Sequence, residues 1–431
     1  MNHALAIGYE GVARLARALS AIAPESDRKL VATFASRRGV MSRLAAFPRD
    51  RTRSLLWMHA PSVGEGLQAR PILELARQRR PAMQLAYTWF SPSARTLARA
   101  LDVDFRDVLP FDARADMRAA LDALSPSALV FSKLDVWPTL AREASHRGTP
   151  LGLVSATLAP SSSRRSLLAR ALLRDAYSRL DRVGAISSED ADRLIALGVP
   201  SRRVSVTGDA RYDQVWARAE QVDRESPLLA PLSNGRITLV AGSTWPSDEA
   251  ALLPAWIRIA AHRPGVRLII APHEPSSDHL VLIERWATGA GLRSARLHAP
   301  GAADADVVIV DRVGVLGDLY ALADIAFVGG AFHAAGLHSV LEPAACGAPV
   351  LFGPRHHGAR DARLLIDADA AHATDGADAL HRALERWLDA PSECEAAGRA
   401  ARTVVHQGLG AAERSYALVA ELLGQVARPS T

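Results

Sequence analysis

From Leu55 onward, short apolar runs bounded by turns alternate with longer segments of helical periodicity. The apolar runs predict buried strands at Leu55–His59, Leu85–Phe90, Ala128–Ser132, Leu151–Ser155, Arg182–Ile186, Val204–Gly208, Ile237–Ala241, Arg267–Ala271, Asp306–Val310, Ile325–Val328 and Val350–Phe352. Segments such as Leu67–Arg79, Ser93–Leu101 and Glu189–Leu197 predict helices between them. Strands that alternate with helices form parallel sheets through right-handed crossovers. The pattern therefore predicts an α/β protein with two successive doubly wound, Rossmann-like halves.

A polar, less regular stretch at 215–235 separates the two halves and is the best linker candidate. The chain of 431 residues is also too long for one ordinary core. We therefore predict an N-terminal domain at 1–220 and a C-terminal domain at 230–431, whose final amphipathic helix, Ala411–Leu423, is a candidate to pack back on the N-terminal half. Ligands of such sheets bind beyond the carboxyl ends of the strands, so we expect a site in an interdomain cleft.

Composition narrows the class of protein. Hydrophobic residues make up 49% of the chain and charged residues 23%, which is typical of a folded protein. Two cysteines, Cys346 and Cys394, provide neither a disulfide framework nor a metal cluster and indicate a reducing compartment. The formal charge of +5 favours an acidic partner: a phosphate, an anionic sugar, nucleic acid or a membrane surface. Phosphate-loop, dinucleotide, HExxH and CxxC motifs are missing from the sequence, so we expect no protein-bound metal.

The N-terminal region has two features that suit a membrane surface. Residues 4–22 place apolar side chains near helical spacing, which predicts either an interfacial helix or a helix that packs on the protein's own body. Residues 27–53 carry eight basic residues against Asp27 and Asp50, as either a solvated face or a site for lipid phosphates. The sequence contains no apolar stretch long enough to cross a bilayer and no signal-peptide pattern.

Two loops of the first half carry candidate chemistry. Glu65 opens a helix after Leu55–His59, where the helix N-terminus keeps a carboxylate ionised and able to take a proton from a hydroxyl. It would equally satisfy the free N–H groups of the first helical turn. After Ala128–Ser132, Lys133 and Asp135 could hold an anion and a hydroxyl together, or form a surface ion pair.

Three loops of the second half resemble phosphate and nucleotide sites. Gly242 and Ser243 lead from a strand into a helix and form a candidate phosphate cradle. The simpler interpretation, which is compatible with a cradle, is that Ser247 caps this helix and that Asp248 and Glu249 are acids in its first turn. His273 follows Arg267–Ala271, as a contact to a phosphate or base or as a turn histidine without function.

The third loop, at 323–354, contains a strand, the pair Gly329–Gly330, a short helix at Ala344–Cys346 and another strand. This order places backbone N–H groups and a helix N-terminus against an anionic ligand, with Glu342 placed to accept hydrogen bonds from a sugar diol. The alternative is an ordinary crossover whose glycines serve only the turn. All five loops follow predicted strand ends, which favours a real site.

In this order, the segments HAPSVGE, FSKLDVWP, VTGDARYD, AGSTWPSDE, APHEP and VGGAFHAAGLHSVLEP resemble the Kdo transferases. These GT-B glycosyltransferases move 3-deoxy-D-manno-oct-2-ulosonic acid (Kdo) from CMP-Kdo to a lipid A precursor. The similarity spans roughly residues 30–425.

The resemblance implies roles for individual residues. Glu65 would be the general base and Asp135 a second catalytic carboxylate. Donor-binding residues would be Ser243, Thr244, Pro272, His273, Glu274, Gly329, Gly330, His338, Ser339 and Glu342. We predict Ser62, Gly64, Lys133, Arg37 and Arg38 as acceptor-binding residues. Lys133, Arg211 or a basic residue of the 28–53 run could pair with the Kdo carboxylate or with lipid phosphates.

Several positions depart from the common family pattern. Lys133 replaces an acid, Trp245 replaces a histidine, the GGHN motif becomes Gly336–Ser339, and the arginine before His273 is lost. The combination is similar to a variant branch of the family. Residues 1–24 are a weakened version of the family's apolar anchor. The departures leave the sugar and the number of residues transferred open.

The resemblance implies inverting transfer of Kdo from CMP-Kdo to a lipid A precursor, at the cytoplasmic face of the bacterial inner membrane, by a peripheral enzyme. It implies no cofactor beyond the donor and no nucleic-acid partner. Two alternatives stay open: another GT-B enzyme that uses a different nucleotide sugar, and a non-catalytic membrane-surface relative.

Overall fold

The computed structural model describes residues 3–24, 26, 28–159, 162, 164, 166–334 and 336–425. Of the positions singled out above, Asp27 lies outside these residues, as do residue 335 of the glycine motif and both chain ends. The described residues form two compact units. Unit 1 runs to Gln214 and resumes at Leu409, and unit 2 is Val215–Gly408.

Unit 1 is built from strands that alternate with helices. Its strands are β1 (Leu55–His59), β2 (Gln84–Trp89), β3 (Phe105–Val108), β4 (Ala128–Ser132), β5 (Leu151–Ala156), β6 (Arg182–Ala185) and β7 (Val204–Val206). Its helices are α1 (His3–Ile22), α2 (Lys29–Ala35), α3 (Val40–Ala45), α4 (Val63–Arg79), α5 (Arg95–Ala100), α6 (Arg114–Leu124), α7 (Pro138–His146), α8 (Leu167–Ser178) and α9 (Ser188–Leu197). The next helix, α10 (Arg211–Glu220), contains the boundary between the two units. The strands pair in parallel in the order β3-β2-β1-β4-β5-β6-β7.

Unit 2 repeats this architecture. Its strands are β8 (Thr238–Thr244), β9 (Arg267–Pro272), β10 (Ser294–Arg296), β11 (Val307–Ile309), β12 (Ile325–Val328), β13 (Val350–Phe352) and β14 (Ala371–Ala373). Its helices are α11 (Pro246–His262), α12 (Ser277–Gly289), α13 (Leu316–Leu319), α14 (Leu341–Ala345), α15 (Arg360–Asp367), α16 (Ala377–Asp389) and α17 (Pro391–Gln407). The strand order is β10-β11-β9-β8-β12-β13-β14, again parallel.

The hydrophobic pattern explains why the central strands form. All five residues of β1 and of β4 are buried, as expected for strands covered by helices on both faces. Trp57 lies fully buried in β1, and its indole N–H donates to Thr88 Oγ1 in β2 at 2.9 Å, so its polar atom is satisfied inside the core.

The predicted α/β class, with two successive parallel sheets, is confirmed. Each predicted strand exists, and β1, β4, β12 and β13 have the predicted bounds. Three strands were not predicted: β3, β10 and β14. The predicted helix at Ala344–Cys346 begins earlier, at Leu341.

The final helix, α18 (Ala411–Gln425), belongs to unit 1. It contacts α4, β4, β5 and β6, and Leu422 is fully buried there. Gly152 in β5 makes room for it, because a Cβ at this position would lie 2.6 Å from Leu422 Cδ1. This helix is therefore part of the core of unit 1.

Helix α1 is amphipathic, with large apolar side chains on its exposed side. The exposed large apolar residues of α1 are Ile7, Val12, Leu15, Leu19 and Ile22. The Tyr9 hydroxyl on the other side donates to Asp112 Oδ2 at 2.8 Å. Within the described part of the chain, no helix combines the length and the apolar composition needed to cross a membrane.

Candidate functional site

Each sheet has a point at which its strand order changes direction. In unit 1 this point lies between β1 and β4, and in unit 2 between β8 and β12. Loops that leave neighbouring strands at such a point diverge, and ligands bind there. Glu65 follows β1 and Lys133 follows β4, while Ser243 lies at the end of β8 and Gly329 follows β12. Four of the five loops selected from the sequence therefore meet in pairs at the two switch points, and the fifth, which carries His273, follows β9 beside β8.

In unit 1, side chains from both loops hold Glu65. It lies in the first turn of α4, after Ser62 at the N-cap position. Lys133 Nζ donates to Glu65 Oε1 at 2.8 Å, and the Ser62 hydroxyl bonds to Oε2. The Ser132 hydroxyl donates to the Glu65 carbonyl oxygen at 3.1 Å, which ties the end of β4 to the start of α4.

The surroundings favour an ionised Glu65. Burial works to raise the pKa of its carboxyl, but the Lys133 ammonium and the hydrogen bonds from Lys133 and Ser62 outweigh burial, so the pKa lies below its ordinary value. The Glu65 side chain is only 13% exposed. An ionised, partly desolvated carboxylate at the end of a central strand can accept a proton from a bound hydroxyl.

Asp135 has a different partner. Arg164 donates to Asp135 Oδ1, so Lys133 and Asp135 do not form the mutual ion pair considered above. Burial raises the pKa of Asp135 against the opposing charge of Arg164, and the charge of Glu65 raises it further. The two candidate catalytic carboxyls are therefore shifted in opposite directions.

A buried polar network supports the loop after β4, which carries Lys133 and Asp135. The sequence did not reveal this network. The Trp137 indole N–H donates to His59 Nε2 at 3.0 Å, which leaves Nδ1 to donate to Thr88 Oγ1, also at 3.0 Å. Burial lowers the pKa of His59 to about 3, so the ring is neutral. The only sequence signal was a polar residue at the end of an apolar run.

The candidate acceptor arginines differ in exposure. Arg37 is 3% exposed, donates to the carbonyl oxygens of Thr33 and Phe90, and lies 4.0 Å from the Phe90 ring centre. Burial lowers its pKa to about 9. Arg38 is exposed and donates to the Ala23 carbonyl oxygen. Both line a cavity of about 230 Å³ together with Arg17 of α1, whereas Gly64 lies exposed in the first turn of α4.

In unit 2, the end of β8 is conformationally unusual. Ser243 has φ +53°, a left-handed conformation that residues with a side chain rarely adopt, where the pairing of β8 with β9 shifts register. The Thr244 hydroxyl donates to Glu249 Oε1 at 2.7 Å, and Glu249 Oε2 lies 2.8 Å from His279 Nε2. Such backbone strain often accompanies ligand sites.

Asp248 joins the two loops of unit 2. Its fully buried carboxylate accepts the backbone N–H of Gly330 at 2.8 Å, of Phe332 at 3.0 Å and of Trp245 at 2.9 Å. The sequence identified Asp248 only as an acid in the first helical turn. The expected capping by Ser247 is wrong: Trp245 is the N-cap residue, because α11 begins at Pro246 and places Ser247 inside the first turn.

The two glycines allow the loops to pack closely. A Cβ at Gly329 would lie 2.3 Å from the Ser243 carbonyl oxygen. Gly330 has φ +96°, and a Cβ there would lie 2.2 Å from the Gly336 carbonyl oxygen. Gly329 is therefore needed for the close approach of the two loops, and Gly330 also for its left-handed backbone conformation.

Four aromatic rings pack together on this edge. Trp245 stacks on His333, with ring centres 4.4 Å apart, and on His273 at 4.7 Å, and His273 stacks on His338 at 4.5 Å. The Trp245 indole N–H donates to His338 Nε2 at 3.1 Å. Burial and the neighbouring imidazoles lower the pKa of His338, which agrees with an accepting, neutral ring. His333 was not singled out from the sequence.

The remaining candidates lie on the same end of the second sheet. Pro272 is the buried last residue of β9, and Glu274 and Ser339 are exposed. Glu342 lies in the first turn of α14, with Oε1 4.0 Å from Arg218 Nη1. Burial raises the pKa of Glu342 against the charge of Arg218.

Sequence comparisons identify several similar proteins. A family model described as 3-deoxy-D-manno-octulosonic-acid transferase (kdotransferase) matches residues 33–214. A 3-deoxy-D-manno-octulosonic acid transferase of Bordetella pertussis is 31% identical over 86% of this chain and 87% of its own length. One of Haemophilus influenzae is 26% identical over 83% of this chain and 85% of its own.

Structural comparisons identify the fold. A UDP-GlcNAc 2-epimerase of Neisseria meningitidis, bound to UDP-GlcNAc, aligns with a TM-score of 0.63 and 13% identity over 86% of this chain and 100% of its own. A putative UDP-N-acetylglucosamine 2-epimerase of Listeria monocytogenes also has a TM-score of 0.63 at 13% identity, over 88% of this chain and 99% of its own. At this identity the likeness concerns the fold alone, and it confirms the predicted GT-B class.

Proposed function

The chain belongs to the 3-deoxy-D-manno-octulosonic acid (Kdo) transferase family, whose members act in lipopolysaccharide synthesis, and we propose that it transfers Kdo from CMP-Kdo to a lipid A precursor with Glu65 as general base. The observation that carries this proposal is the position of the Glu65 carboxylate at the switch point of unit 1, where Lys133 Nζ contacts it at 2.8 Å and holds its pKa below the ordinary value. A sugar hydroxyl is too weakly acidic to ionise by itself at neutral pH, so a carboxylate that takes its proton makes it a better nucleophile.

The proposed reaction is a single displacement with inversion. Glu65 takes the proton of a sugar hydroxyl on the acceptor as the hydroxyl oxygen forms a bond to the anomeric carbon of Kdo. The bond from that carbon to the phosphate oxygen of CMP breaks, and its electron pair stays on the phosphate. Because the leaving group is already a stable anion, the step needs neither a strong general acid nor a cofactor.

We assign the donor to unit 2. Asp248 and the glycine pair hold the loops after β8 and β12 against each other, so Ser243, Thr244, His338 and Ser339 border one strand-end surface. Pro272, His273 and Glu274 adjoin this surface through the stacked rings. Glu342 would accept hydrogen bonds from hydroxyl groups of the donor.

We assign the acceptor to unit 1. Ser62 and Gly64 lie beside Glu65, where the attacking hydroxyl must bind. The cavity that Arg17, Arg37 and Arg38 line would take an anionic part of the acceptor, such as a lipid phosphate. Arg37, which is buried between aromatic rings, would shape the cavity, and the exposed Arg38 would meet the phosphate.

We also propose a peripheral contact with the cytoplasmic face of the inner membrane. The exposed apolar residues of α1 lie in the same unit as this cavity, whose lining includes Arg17 and Ala21 of α1 itself. An interfacial helix with such a face inserts its apolar side chains between lipid headgroups, while nearby arginines attract anionic lipids. The acceptor would then stay in its membrane during the reaction.

The test is transfer from freshly prepared CMP-Kdo to a tetra-acylated, bis-phosphorylated lipid A precursor, followed by mass spectrometry. A second CMP-sugar and UDP-GlcNAc serve as donor controls. We expect an acceptor mass increased by one or more Kdo units with CMP-Kdo alone. Turnover of UDP-GlcNAc, or no binding of any CMP-sugar to the folded protein, would instead favour another GT-B activity or a non-catalytic role.

A further inference from the structure

Lysine is almost absent from this chain. Its 51 lysine and arginine residues comprise two lysines, Lys29 and Lys133, and 49 arginines. The cation that contacts Glu65 is one of these two lysines. A chain that uses arginine at nearly every basic position has a lysine at the one that faces the proposed base.

The structure holds Lys133 in a strained conformation. Its φ is +66°, in the left-handed region that disfavours a side chain, and its backbone N–H donates to the Val154 carbonyl oxygen at 2.9 Å. The preceding residue, Ser132, bonds to the Glu65 carbonyl oxygen. Backbone strain of this kind persists only where the surrounding structure fixes the residue, and it is frequent at active sites.

Lysine and arginine would form different hydrogen bonds with the Glu65 carboxylate. A guanidinium presents a planar fork that binds both carboxylate oxygens at once, whereas an ammonium acts as a compact point charge. Here Lys133 contacts Oε1 and Ser62 contacts Oε2. An ionised carboxylate has about four lone-pair positions, so this arrangement leaves room for a further hydrogen bond from a substrate hydroxyl.

We propose that Lys133 is the positioning residue of the base: its ammonium fixes the orientation of the Glu65 carboxylate and leaves lone pairs free for the acceptor hydroxyl. This inference rests on the proposed role of Glu65. It differs from the role predicted from the sequence, in which Lys133 binds the acceptor directly.

The proposal has a consequence for pH dependence. Because the Lys133 charge holds the pKa of Glu65 down, its removal raises that pKa, and a higher pH is then needed to ionise the base. The other titratable groups around Glu65 are Asp135, which Arg164 neutralises, the neutral His59 and the buried Tyr87. They remain in place when Lys133 is replaced.

The kinetic test compares the pH profiles of kcat/KM for Lys133→Gln, Lys133→Arg and the unaltered enzyme. We expect the acidic limb to move to higher pH in Lys133→Gln, with a loss of about tenfold at the pH optimum from poorer orientation. Lys133→Arg keeps the charge, so its limb stays in place while kcat falls. An unmoved limb in Lys133→Gln overturns the proposal. A tenfold rise in the acceptor KM with an unmoved limb would establish the direct-binding role instead.

A second test needs no substrate. In a Lys29→Arg background, reductive methylation with ¹³C-formaldehyde labels Lys133 as the only lysine, and the methyl signal is followed by NMR as pH changes. We expect a titration step from Glu65 that disappears in Glu65→Gln. A signal that shows the same steps in both proteins would overturn the pairing in solution. If the enzyme transfers no Kdo at all, the proposed function fails, and this measurement alone still decides whether Lys133 holds Glu65.

Discussion

At the scale of single residues, two carboxyl groups of unit 1 show how the surroundings set the pKa of a side chain and so its possible role. Glu65 and Asp135 follow neighbouring strands, yet Lys133 lowers the pKa of Glu65 while burial raises that of Asp135. Pairs of titratable groups with pKa values moved apart are typical of enzyme sites. The ionised member, Glu65, is the better candidate for a base at neutral pH.

His59 gives a prediction about stability at the same scale. Its pKa of about 3 in the folded state lies below the ordinary histidine value near 6.5, because burial disfavours the charged ring. The unfolded chain therefore binds more protons between these values, and the stability that neutral His59 contributes is present above pH 6.5 and lost as pH falls towards 3.

As pH falls from 6.5 towards 3, we expect His59 to lower the free energy of unfolding of unit 1 by up to about 1.4 kcal/mol per pH unit. The measurement is urea unfolding between pH 4 and 7, with the unaltered protein and His59→Gln side by side. The variant loses hydrogen bonds at every pH, but its free energy of unfolding should depend less steeply on pH. Equal slopes for the two proteins would show that His59 is not the titrating group.

At the scale of secondary-structure elements, Asp248 joins the start of α11 to the loop after β12. It offers its buried carboxylate to three backbone N–H groups, two of which belong to that loop. We expect Asp248→Ala to destabilise unit 2 by about 3 kcal/mol, because three buried donors lose a charged acceptor. We also expect CMP affinity to fall at least tenfold.

Asp190 provides a matched control in unit 1. It is also a buried aspartate in the first turn of a helix, and it accepts the Leu158 backbone N–H at 2.7 Å. Asp190→Ala should lower stability by a similar amount without changing CMP affinity. Calorimetric titration with CMP below the unfolding temperature distinguishes the two, and equal CMP affinity in both variants would exclude Asp248 from the donor surface.

Helix α1 gives a second prediction at this scale. Leu15 lies on the apolar side of α1 and is 62% exposed. Leu282 of α12, in unit 2, is 61% exposed. We expect Leu15→Glu to reduce co-sedimentation with anionic phospholipid vesicles at least tenfold, because a charge must then be buried at the interface. Leu282→Glu should bind vesicles as the unaltered protein does. A loss of binding in both variants, or in neither, would contradict a membrane contact through α1.

The same scale shows what the sequence could predict. Central strands such as β1 and β12 are continuous apolar runs, since both faces are covered, and their bounds were predicted correctly. The missed strands are short, and β3 and β10 contain charged residues because they lie at sheet edges. An edge strand gains its hydrogen bonds from one neighbour only, so little of its sequence records the pairing.

At the scale of the whole molecule, α18 brings the chain back to unit 1 after unit 2 is complete. Leu422 of α18 is fully buried in unit 1, and Leu384 of α16 is fully buried in unit 2. We expect Leu422→Ala to destabilise unit 1 by about 2–5 kcal/mol through loss of apolar contacts and the remaining cavity. Leu384→Ala should act in the same way on unit 2.

Hydrogen exchange in denaturant, followed by mass spectrometry of peptides from β4 and β12, reports on the two units separately. Leu422→Ala should increase exchange in β4 peptides, and Leu384→Ala in β12 peptides. Increased exchange of β12 alone in Leu422→Ala would contradict the assignment of α18 to unit 1.

The candidate site was predictable in part. Strand-end loops are visible along the chain, so Glu65, Lys133 and the glycine pair were found. The order of strands in a sheet is not visible, and it is this order that brings Lys133 to Glu65 and Asp248 to Gly330. Contacts between residues 68 and 82 positions apart depend on the fold rather than on local pattern.

The central claim is that Glu65 removes the proton from the acceptor hydroxyl. The most direct test is single-turnover transfer of Kdo from CMP-Kdo to the lipid A precursor by the unaltered enzyme and by Glu65→Gln. We predict a loss of about 10²–10⁴-fold in the transfer rate, with unchanged CMP affinity and an intact fold by circular dichroism. A folded Glu65→Gln enzyme that transfers Kdo at close to the unaltered rate would contradict the account.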